Sequence, residues 1–509
     1  MPTYLSPGVY VEEVDSGSRP IEGVGTAVAA FIGLADKGPF NTPTLVTNWS
    51  QYTQTFGEFV EGTYLSHAVY GYFQNGGGAC YIVRIGGSGA SQRAAVAELT
   101  SGQDHTLGAY KISAVNAGED GNAITVEVVD SESGGEDGNF RLVVKQGGNV
   151  AETFDPVSTK RGRTNVVTVV NAQSQLIRLE ETSKTAVEAV ARGSVSLAGG
   201  GASAPTSINA GDYLGDPAAR SGVGGLEAID EITMVSVPDL MSAHQRGLID
   251  MEGVKAVQLG MIAHCELMGD RMAILDPPPG LNAQGIREWR VNTVGYDSKY
   301  ATLYWPWIKV FDPAVGVNTF VPPSGHVAGI WGRNDDTRGV HKAPANEVIR
   351  GAISLEVNIT KAEHDLLNPI AVNAIRSFPG RGIRIWGART LSSDPAWRYI
   401  NVRRLFNYLE ESILSGTDWV VFEPNDMNLW SKIRRTIAAF LVNEWRKGAL
   451  FGGTPGEAFF VKCDGETNPA EGIDAGQVVC EIGVAPVKPA EFVIFRLSQF
   501  SGGTSLVAE

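Results

Sequence analysis

The chain of 509 residues contains little cysteine, and its cysteines are widely spaced. Cys80, Cys265, Cys463 and Cys480 are the four thiols, and no two of them form a CxxC motif. Structural zinc sites and disulfide frameworks are recognised by regular, closely spaced cysteines. We therefore expect neither a structural metal nor disulfide stapling, and scattered buried thiols fit a protein made in a reducing compartment.

Long apolar runs are also missing. No stretch of about 20 apolar residues occurs, so no membrane-spanning helix is predicted. The first residues, MPTYLSPGVYVEE, lack the basic region and apolar region of a secretory signal. The apolar content of 43% is ordinary for a soluble protein that buries sizeable cores.

Positive charge is scarce, with 41 Lys and Arg against 56 Asp and Glu, a net charge of −15. Such a balance argues against a nucleic-acid partner unless the charge is segregated. Segregation does occur: residues 376–450 carry 12 basic and 7 acidic side chains, a net +5, which leaves −20 for the rest. This basic segment is either a solvated helix face or a binding surface.

Enzyme motifs are absent as well. The chain has no GxSxG elbow, and Gly76–Gly78 ends a predicted helix before a strand, which is the reverse of a phosphate loop. We therefore predict no catalytic, cofactor-binding or metal-binding residues. The best enzyme alternative is a site at Asp239 and Asp276, which follow predicted strands where α/β enzymes bind ligands.

The pattern of apolar residues predicts a mixed α/β fold with several domains. Strands and helices alternate in 21–90 and again in 223–345, and these two parts are predicted to form one discontinuous α/β domain. Residues 91–222 between them are rich in Gly, Ser, Thr, Asn and Asp, with short Val and Ile runs such as Val166–Val170. This composition predicts an inserted β-rich domain, which could alternatively act as a surface-binding module.

A further domain is predicted at 346–487. A helix begins near Trp397, and Trp419–Phe422 after Gly416 has the apolar composition of a buried strand. The strongest helix of the chain is 428–447, where Leu429, Ile433, Ile437, Leu441 and Trp445 recur every four residues.

Both termini are predicted to carry isolated strands in arms, at 1–20 and 488–509. A single strand beside a terminus needs the edge of another sheet, either in its own subunit or in a neighbour. The arm residues of interest are Val9, Tyr10, Val11, Glu12 and Val14 at the front and Phe492, Val493, Ile494, Phe495 and Leu497 at the end.

Several stretches of the sequence resemble the tail sheath proteins of contractile phages and phage-tail-like injection particles. They are RGIRIWGARTLSSDPAWRYINVRRLFNYLEESI, with FEPND and LW after it, GALFGGTPGEAFFVKCD, IGVAPVKPAEFVIF and, at the front, YLSPGVYVEEVD. The similarity covers both ends and most of the last 210 residues.

The resemblance implies a non-enzymatic, homo-oligomeric subunit of a helical sheath that surrounds an inner tube. Terminal arms would donate strands to neighbouring subunits, the C-terminal domain would face the tube, and the inserted domain would face outward. Baseplate and terminal cap proteins are implied as further partners, without cofactors, nucleic acid or membrane insertion, after assembly in the bacterial cytoplasm. The candidate contacts to the inner tube are the basic residues Arg403, Arg404, Lys432, Arg434, Arg435, Arg446 and Lys447.

Overall fold

The computed structural model describes residues 20–86, 92–93, 95–100, 108–115, 119–132, 138–182, 190–202, 208–313 and 315–496. The predicted N-terminal arm residues Val9 to Val14 and the predicted arm residue Leu497 lie outside these ranges. No helix in the described part of the chain has the length and apolar character needed to cross a bilayer.

A mixed sheet of eight strands organises the fold. Its six inner strands are parallel, and the strand at each edge is antiparallel to its neighbour. In spatial order the strands are Thr44–Val46, Ala79–Arg84, Val28–Gly33, Met234–Ser236, Met272–Leu275, Ala301–Trp305, Val372–Phe378 and Gly382–Ile385. The sheet takes strands from both sides of the insertion and continues past the predicted domain boundary at 346.

The strands read as nearly continuous apolar runs because helices cover both faces of the sheet. Ala30 and Ile32 point into one core, whereas Ala29 and Phe31 on the same strand point into the other. The helices around the sheet are Trp49–Phe56, Leu65–Gln74, Ala210–Leu214, Asp239–Gln245, Met251–Met268, Ala283–Glu288, Ser324–Arg338 and Lys361–Leu367. A small antiparallel sheet of Ile308–Asp312, Val317–Val321 and Ser354–Leu355 packs beside them.

The insertion has its own hydrophobic core. Its strands are Gln92–Arg93, Val96–Thr100, Gly108–Ala114, Ile124–Asp130, Asn139–Gln146, Asn149–Ser158, Ile177–Glu181, Gly193–Ser196 and Gly201–Ala202. The strand predicted at Val166–Val170 is wrong, because Val166–Gln173 is a helix. The side chain of Asn165 caps it by accepting from Thr168 N, and Val166 and Val170, four residues apart, are its buried positions.

The C-terminal unit is built on two long helices, Ile400–Gly416 and Met427–Arg446, which enclose a fourth core. Two short helices, Pro455–Ala458 and Ala470–Asp474, accompany a two-stranded sheet. This sheet, here called the C-terminal hairpin, pairs Phe459–Lys462 with Glu481–Val484.

The strand predicted at Trp419–Phe422 is wrong. Asp418–Val420 is a turn of 3-10 helix, and Phe422 is fully exposed at a positive φ of 69°. The four apolar residues lie between turn formers, Gly416–Asp418 and Pro424–Asp426. Apolar, β-branched composition alone does not make a strand when no other described strand lies alongside to pair with it.

Candidate assembly interface

The C-terminal hairpin has two free edges. It is a sheet of two strands, and no other described strand pairs with the outer edge of either one. An unpaired edge presents a row of backbone N–H and C=O groups that can pair with a strand from another chain. Each outer edge of the hairpin therefore carries backbone N–H and C=O groups that no described strand pairs.

An apolar groove of about 390 Å³ runs beside one of these edges, between the hairpin and helix Ile400–Gly416. We call it the hairpin groove. It is lined by Phe406, Leu409, Glu410, Ile413, Leu414, Thr417, Leu441, Ile482 and Val484. A strand paired with Glu481–Val484 would have space here for the apolar side chains of one of its faces.

After its contacts at 485–487, where Asn401 Nδ2 donates to Val487 O at 3.1 Å, the segment that follows the hairpin is attached to the central body through one carboxylate. Glu491 accepts hydrogen bonds from Arg389 Nε at 2.9 Å, Arg389 Nη2 at 2.6 Å, Asn368 Nδ2 at 2.9 Å and Tyr399 Oη at 3.1 Å. Half-burial raises the pKa of Glu491, but these donors outweigh it and leave the pKa below its ordinary value. Glu491 is thus the point at which the segment is anchored.

Beyond this anchor the side chains turn to solvent. Phe492, Val493, Ile494 and Phe495 are all exposed and, within the described residues, pair with no strand. Four consecutive exposed apolar side chains are unusual for an isolated soluble chain and indicate a surface that is covered by a partner. Within the predicted arm 488–509, the exposed apolar run therefore begins immediately after Glu491.

Two of the predicted basic contact residues are not on the surface. Arg404 donates to Asp335 at 2.9 and 2.5 Å and to the carbonyl of Thr26 at 2.8 Å, and both partners of the ion pair are buried. Arg403 is also buried and donates to Asn407 Oδ1 at 2.7 Å. Because these guanidinium groups are buried and paired inside the chain, neither is accessible to a partner.

The other five basic residues are exposed. Lys447 pairs with Glu444 at 2.7 Å, and Arg434 donates to the carbonyl of Cys463 at 3.2 Å. Lys432, Arg435 and Arg446 lie on the solvent side of helix Met427–Arg446, opposite its buried stripe. Four of these cations lie on this helix and Lys447 directly follows it.

Asp239 follows its strand as predicted, but its carboxylate binds backbone N–H groups of the same chain. It is fully buried and accepts hydrogen bonds from the N–H groups of Leu34 (2.7 Å) and Tyr64. Gly33 is required beside it, since a Cβ there would lie 2.5 Å from Asp239 Oδ2. Burial raises the pKa of Asp239 to about 6.

Asp276 has a similar structural role. It accepts from Ser324 N at 3.1 Å and Ser324 Oγ at 2.5 Å, which fixes the start of helix Ser324–Arg338. Burial raises its pKa to about 7. The crevice between Asp276 and Gln258 has no room for a water molecule, so the Asp276 carboxyl has hydrogen-bond partners but no space for a substrate at this crevice.

Sequence reasoning missed the anchor at Glu491, whose donors lie about 90 to 120 positions away, and it missed the exposure of Phe422. The only local signal for the anchor is a single carboxylate directly before the apolar run FVIF. For the exposure of Phe422 the local signal is its position between turn-forming residues, but its apolar neighbours favour a buried strand in the sequence analysis.

Two family models match this chain, one over the central sheet and one over the C-terminal unit. The family model described as "Phage tail sheath protein central domain" matches residues 222–391, and the one described as "Phage tail sheath C-terminal domain" matches residues 392–500. Their common boundary falls just after the last strand of the eight-stranded sheet.

Curated tail sheath proteins are similar over long stretches. The chain is 27% identical to the tail sheath protein of Vibrio phage KVP40 over 70% of its own length and 54% of that protein's length. It is 23% identical to the tail sheath protein of Burkholderia phage BcepMu over 96% of its length and 95% of that protein.

Solved structures share the fold. The anti-feeding prophage sheath in its contracted state aligns with a TM-score of 0.59 at 24% identity, covering 98% of this chain and all of that one. A sheath tail protein of Desulfitobacterium hafniense aligns with a TM-score of 0.57 at 14% identity, covering 90% and 94%. Taken with the two family matches, these similarities show that the chain belongs to the contractile tail sheath proteins, the structural subunits of phage tails and phage-tail-like injection particles.

Proposed function

We propose that this chain polymerises by strand exchange into a helical sheath around an inner tube, and that contraction of this sheath drives the tube through a target envelope. The observation that carries the proposal is the C-terminal hairpin with two free edges and an apolar groove beside one of them. The hairpin is the acceptor, and the terminal arms of neighbouring subunits are the donors.

The sequence of the N-terminal arm fits such an acceptor. In a strand, Val9 and Val11 lie on one face, and Tyr10, Glu12 and Val14 lie on the other. The side with Val9 and Val11 is small and apolar, which suits the hairpin groove. Each main-chain hydrogen bond to the hairpin edge would contribute about 0.5–1.5 kcal/mol net.

The C-terminal arm would leave its own subunit at Glu491. Its exposed apolar residues, Phe492 to Phe495, follow the last side-chain hydrogen bonds found in the described part of the chain, those of Glu491. Pairing them with the second free edge of a neighbour's hairpin would cover these side chains. Donor and acceptor surfaces then differ, and a contact of this kind builds an open helix when its rotation does not close.

Contraction would follow from the same linkage. Arms that end in paired strands let subunits rotate as rigid bodies while they stay connected. The free energy would be stored during assembly in the bacterial cytoplasm and released through new contacts between subunits, without nucleotide hydrolysis. Baseplate and terminal cap proteins would hold the two ends of the sheath.

The exposed cations of helix Met427–Arg446, with Lys447 directly after it, would hold the inner tube. Exposed ion pairs contribute only about 0–1 kcal/mol each, which suits contacts that must all break when the sheath contracts. Lys432, Arg434, Arg435, Arg446 and Lys447 are the residues proposed for this role.

The decisive experiment changes the hairpin groove without touching the core. Leu414 lines the groove and is 62% exposed in the isolated chain, so Leu414→Asp should leave the subunit folded and soluble. Negative-stain microscopy should show striated tubes for the wild type and none for Leu414→Asp or for a chain lacking residues 1–19. Leu267→Asp is the matched control, because Leu267 is a 72% exposed helical leucine outside the groove. Normal tubes from Leu414→Asp would refute strand exchange at this site.

A further inference from the structure

Two cysteines that are distant in sequence face each other across the C-terminal hairpin. The register pairs Phe459 with Val484 and Lys462 with Glu481. The next pair outward is Cys463 and Cys480, at the end of the hairpin where the chain leaves for the loop 464–479.

The hydrogen-bond pattern defines what kind of pair they form. Ala485 N donates to Ala458 O at 2.8 Å, so 458 and 485 are a hydrogen-bonded pair. Hydrogen-bonded and non-hydrogen-bonded pairs alternate along an antiparallel ladder, which makes Cys463 and Cys480 a non-hydrogen-bonded pair. Cα atoms in such pairs are about 4.5 Å apart, within the range of about 4.4–6.8 Å that a disulfide requires.

The surroundings hold the two thiols together in the reduced chain. Cys463 is fully buried in the C-terminal core, and the half-buried Cys480 packs against that core. Asn468 closes the loop between them, since its Oδ1 accepts from Val479 N at 2.7 Å and its Nδ2 donates to Val479 O at 3.0 Å. The thiols also share a hydrogen bond. Burial raises the pKa of Cys463 although this bond opposes the rise, and burial together with the neighbouring Cys463 thiol raises the pKa of Cys480.

We propose that Cys463 and Cys480 are a modification site that oxidises to a reversible disulfide and staples the C-terminal hairpin. The oxidant is a small-molecule disulfide such as oxidised glutathione. The thiolate of Cys480, the more exposed residue, attacks the oxidant and releases one thiol. Cys463 then attacks the sulfur of Cys480 and releases the second thiol, so two protein thiols become one disulfide and the oxidant is reduced to two thiols.

Formation of the Cys463–Cys480 disulfide does not depend on the proposed function, but its effect on strand exchange does. The reduced hairpin is the form made in a reducing cytoplasm, and oxidation after release would fix the acceptor strands in register. Burial raises the pKa of Cys480 to about 12, and since the thiolate is the reacting species, the reaction is slow at neutral pH and faster in alkaline solution.

The test uses the full-length chain. Folded protein is incubated with oxidised glutathione at alkaline pH, then denatured and treated with N-ethylmaleimide before intact-mass analysis. We expect two alkylated cysteines, Cys80 and Cys265, and a peptide map that joins Cys463 to Cys480. Four alkylated thiols, or a lasting glutathione adduct on Cys480, would overturn the proposal.

A second measurement tests the staple itself. Proteolysis within the loop 464–479 should slow about tenfold on oxidation, which corresponds to about 1.4 kcal/mol of local stability. Cys480→Ser and Cys480→Ala should show no such change, and Cys265→Ala should respond like the wild type. An unchanged proteolysis rate in oxidised wild type contradicts the staple. If the chain forms tubes but no disulfide, only the proposed disulfide site is wrong. If the disulfide forms but no tubes appear, only the proposed function is wrong.

Discussion

Arg389 and Glu491 form a bidentate ion pair across 102 positions of the chain, with Nε 2.9 Å from one carboxylate oxygen and Nη2 2.6 Å from the other. Bidentate, charge-assisted pairs of this geometry are stronger and more directional than neutral hydrogen bonds. Arg389 belongs to the connection between the central sheet and the C-terminal helices. The pair therefore attaches the chain to the body of the subunit directly before the exposed residues Phe492 to Phe495.

Glu491→Gln should loosen the arm without unfolding the protein. An amide cannot accept both guanidinium bonds, so about 1–3 kcal/mol of local attachment is lost. Limited proteolysis should then cut after residue 487 several-fold faster, while the main unfolding transition in urea stays unchanged. Glu466→Gln is the control, because Glu466 pairs with Lys462 on the surface. An equal rate of cleavage in Glu491→Gln and wild type would contradict the anchor.

The long amphipathic elements of this fold could be predicted from the sequence. Helix Met427–Arg446 follows from apolar residues at every fourth position, and Asp426 caps it by accepting from Leu429 N at 2.8 Å. The parallel pairing of Met234–Ser236 with Met272–Leu275 follows from a strand, helix and strand in succession. In both cases the pattern is local and repeats over many residues.

Properties decided by distant contacts could not be predicted in the same way. The basic helix that carries Arg404 predicts a contact with a partner, yet Arg404 is buried in an ion pair with Asp335, 69 positions earlier. The contact between Cys463 and Cys480 appears only once the register of the hairpin is known. Residues Val166–Gln173 form a helix in spite of their β-type composition, because Asn165 caps the helix and the buried residues Val166 and Val170 lie four positions apart on one helical face.

Arg404→Met should destabilise the subunit by roughly 3–5 kcal/mol, because Asp335 is left buried without its counter-charge. Urea unfolding of the purified subunit measures this loss. Arg435→Met, on the exposed face of the neighbouring helix, should leave the unfolding midpoint unchanged.

A double variant tests whether the ion pair between Arg404 and Asp335 itself accounts for this loss of stability. Replacing both Arg404 and Asp335 by apolar residues removes the buried charges together and should recover most of the lost stability. A double variant no more stable than Arg404→Met would show that packing, and not the ion pair, is responsible.

Charge reversal on the exposed helix face should separate two kinds of assembly. Arg435→Glu combined with Arg446→Glu leaves the core and the hairpin groove intact, so sheath subunits should still bind one another. Assembly templated on the inner tube should fail, and its loss is measured by co-sedimentation of subunits with purified tubes. Normal co-sedimentation of the double variant would refute this face as the tube contact.

Phe422→Gly should stabilise the isolated subunit by about 0.5–1 kcal/mol. A non-glycine residue at φ 69° is strained, whereas glycine adopts this conformation readily, and the fully exposed ring has no packing to lose. Val421→Gly is the matched control, since Val421 has an ordinary φ of −64° and should lose stability. If both variants lose stability, the ring makes a contact that its exposure does not indicate.

The carboxyls of Asp276 and Asp297 should have opposite effects on pH-dependent stability, although each accepts from the N–H and the hydroxyl of one serine. Burial raises the pKa of Asp276 to about 7, whereas the bonds from Ser393 lower the pKa of the exposed Asp297. Between pH 3.8 and about 7, folded Asp276 keeps a proton that the unfolded chain has released. Its contribution to the free energy of unfolding therefore falls as pH rises, by up to about 1.4 kcal/mol per pH unit.

Asp276→Asn should remove this component, and unfolding free energies from urea titrations between pH 4 and 7 should decline less steeply than in the wild type. Asp239, whose pKa is also raised, keeps a decline of the same sign in the variant. The contribution of Asp297 is present above its unfolded pKa and is lost as pH falls through its lowered folded pKa, so Asp297→Asn should leave the slope above pH 5 unchanged. Parallel curves for Asp276→Asn and wild type would show that Asp276 is ionised in the folded subunit throughout this range.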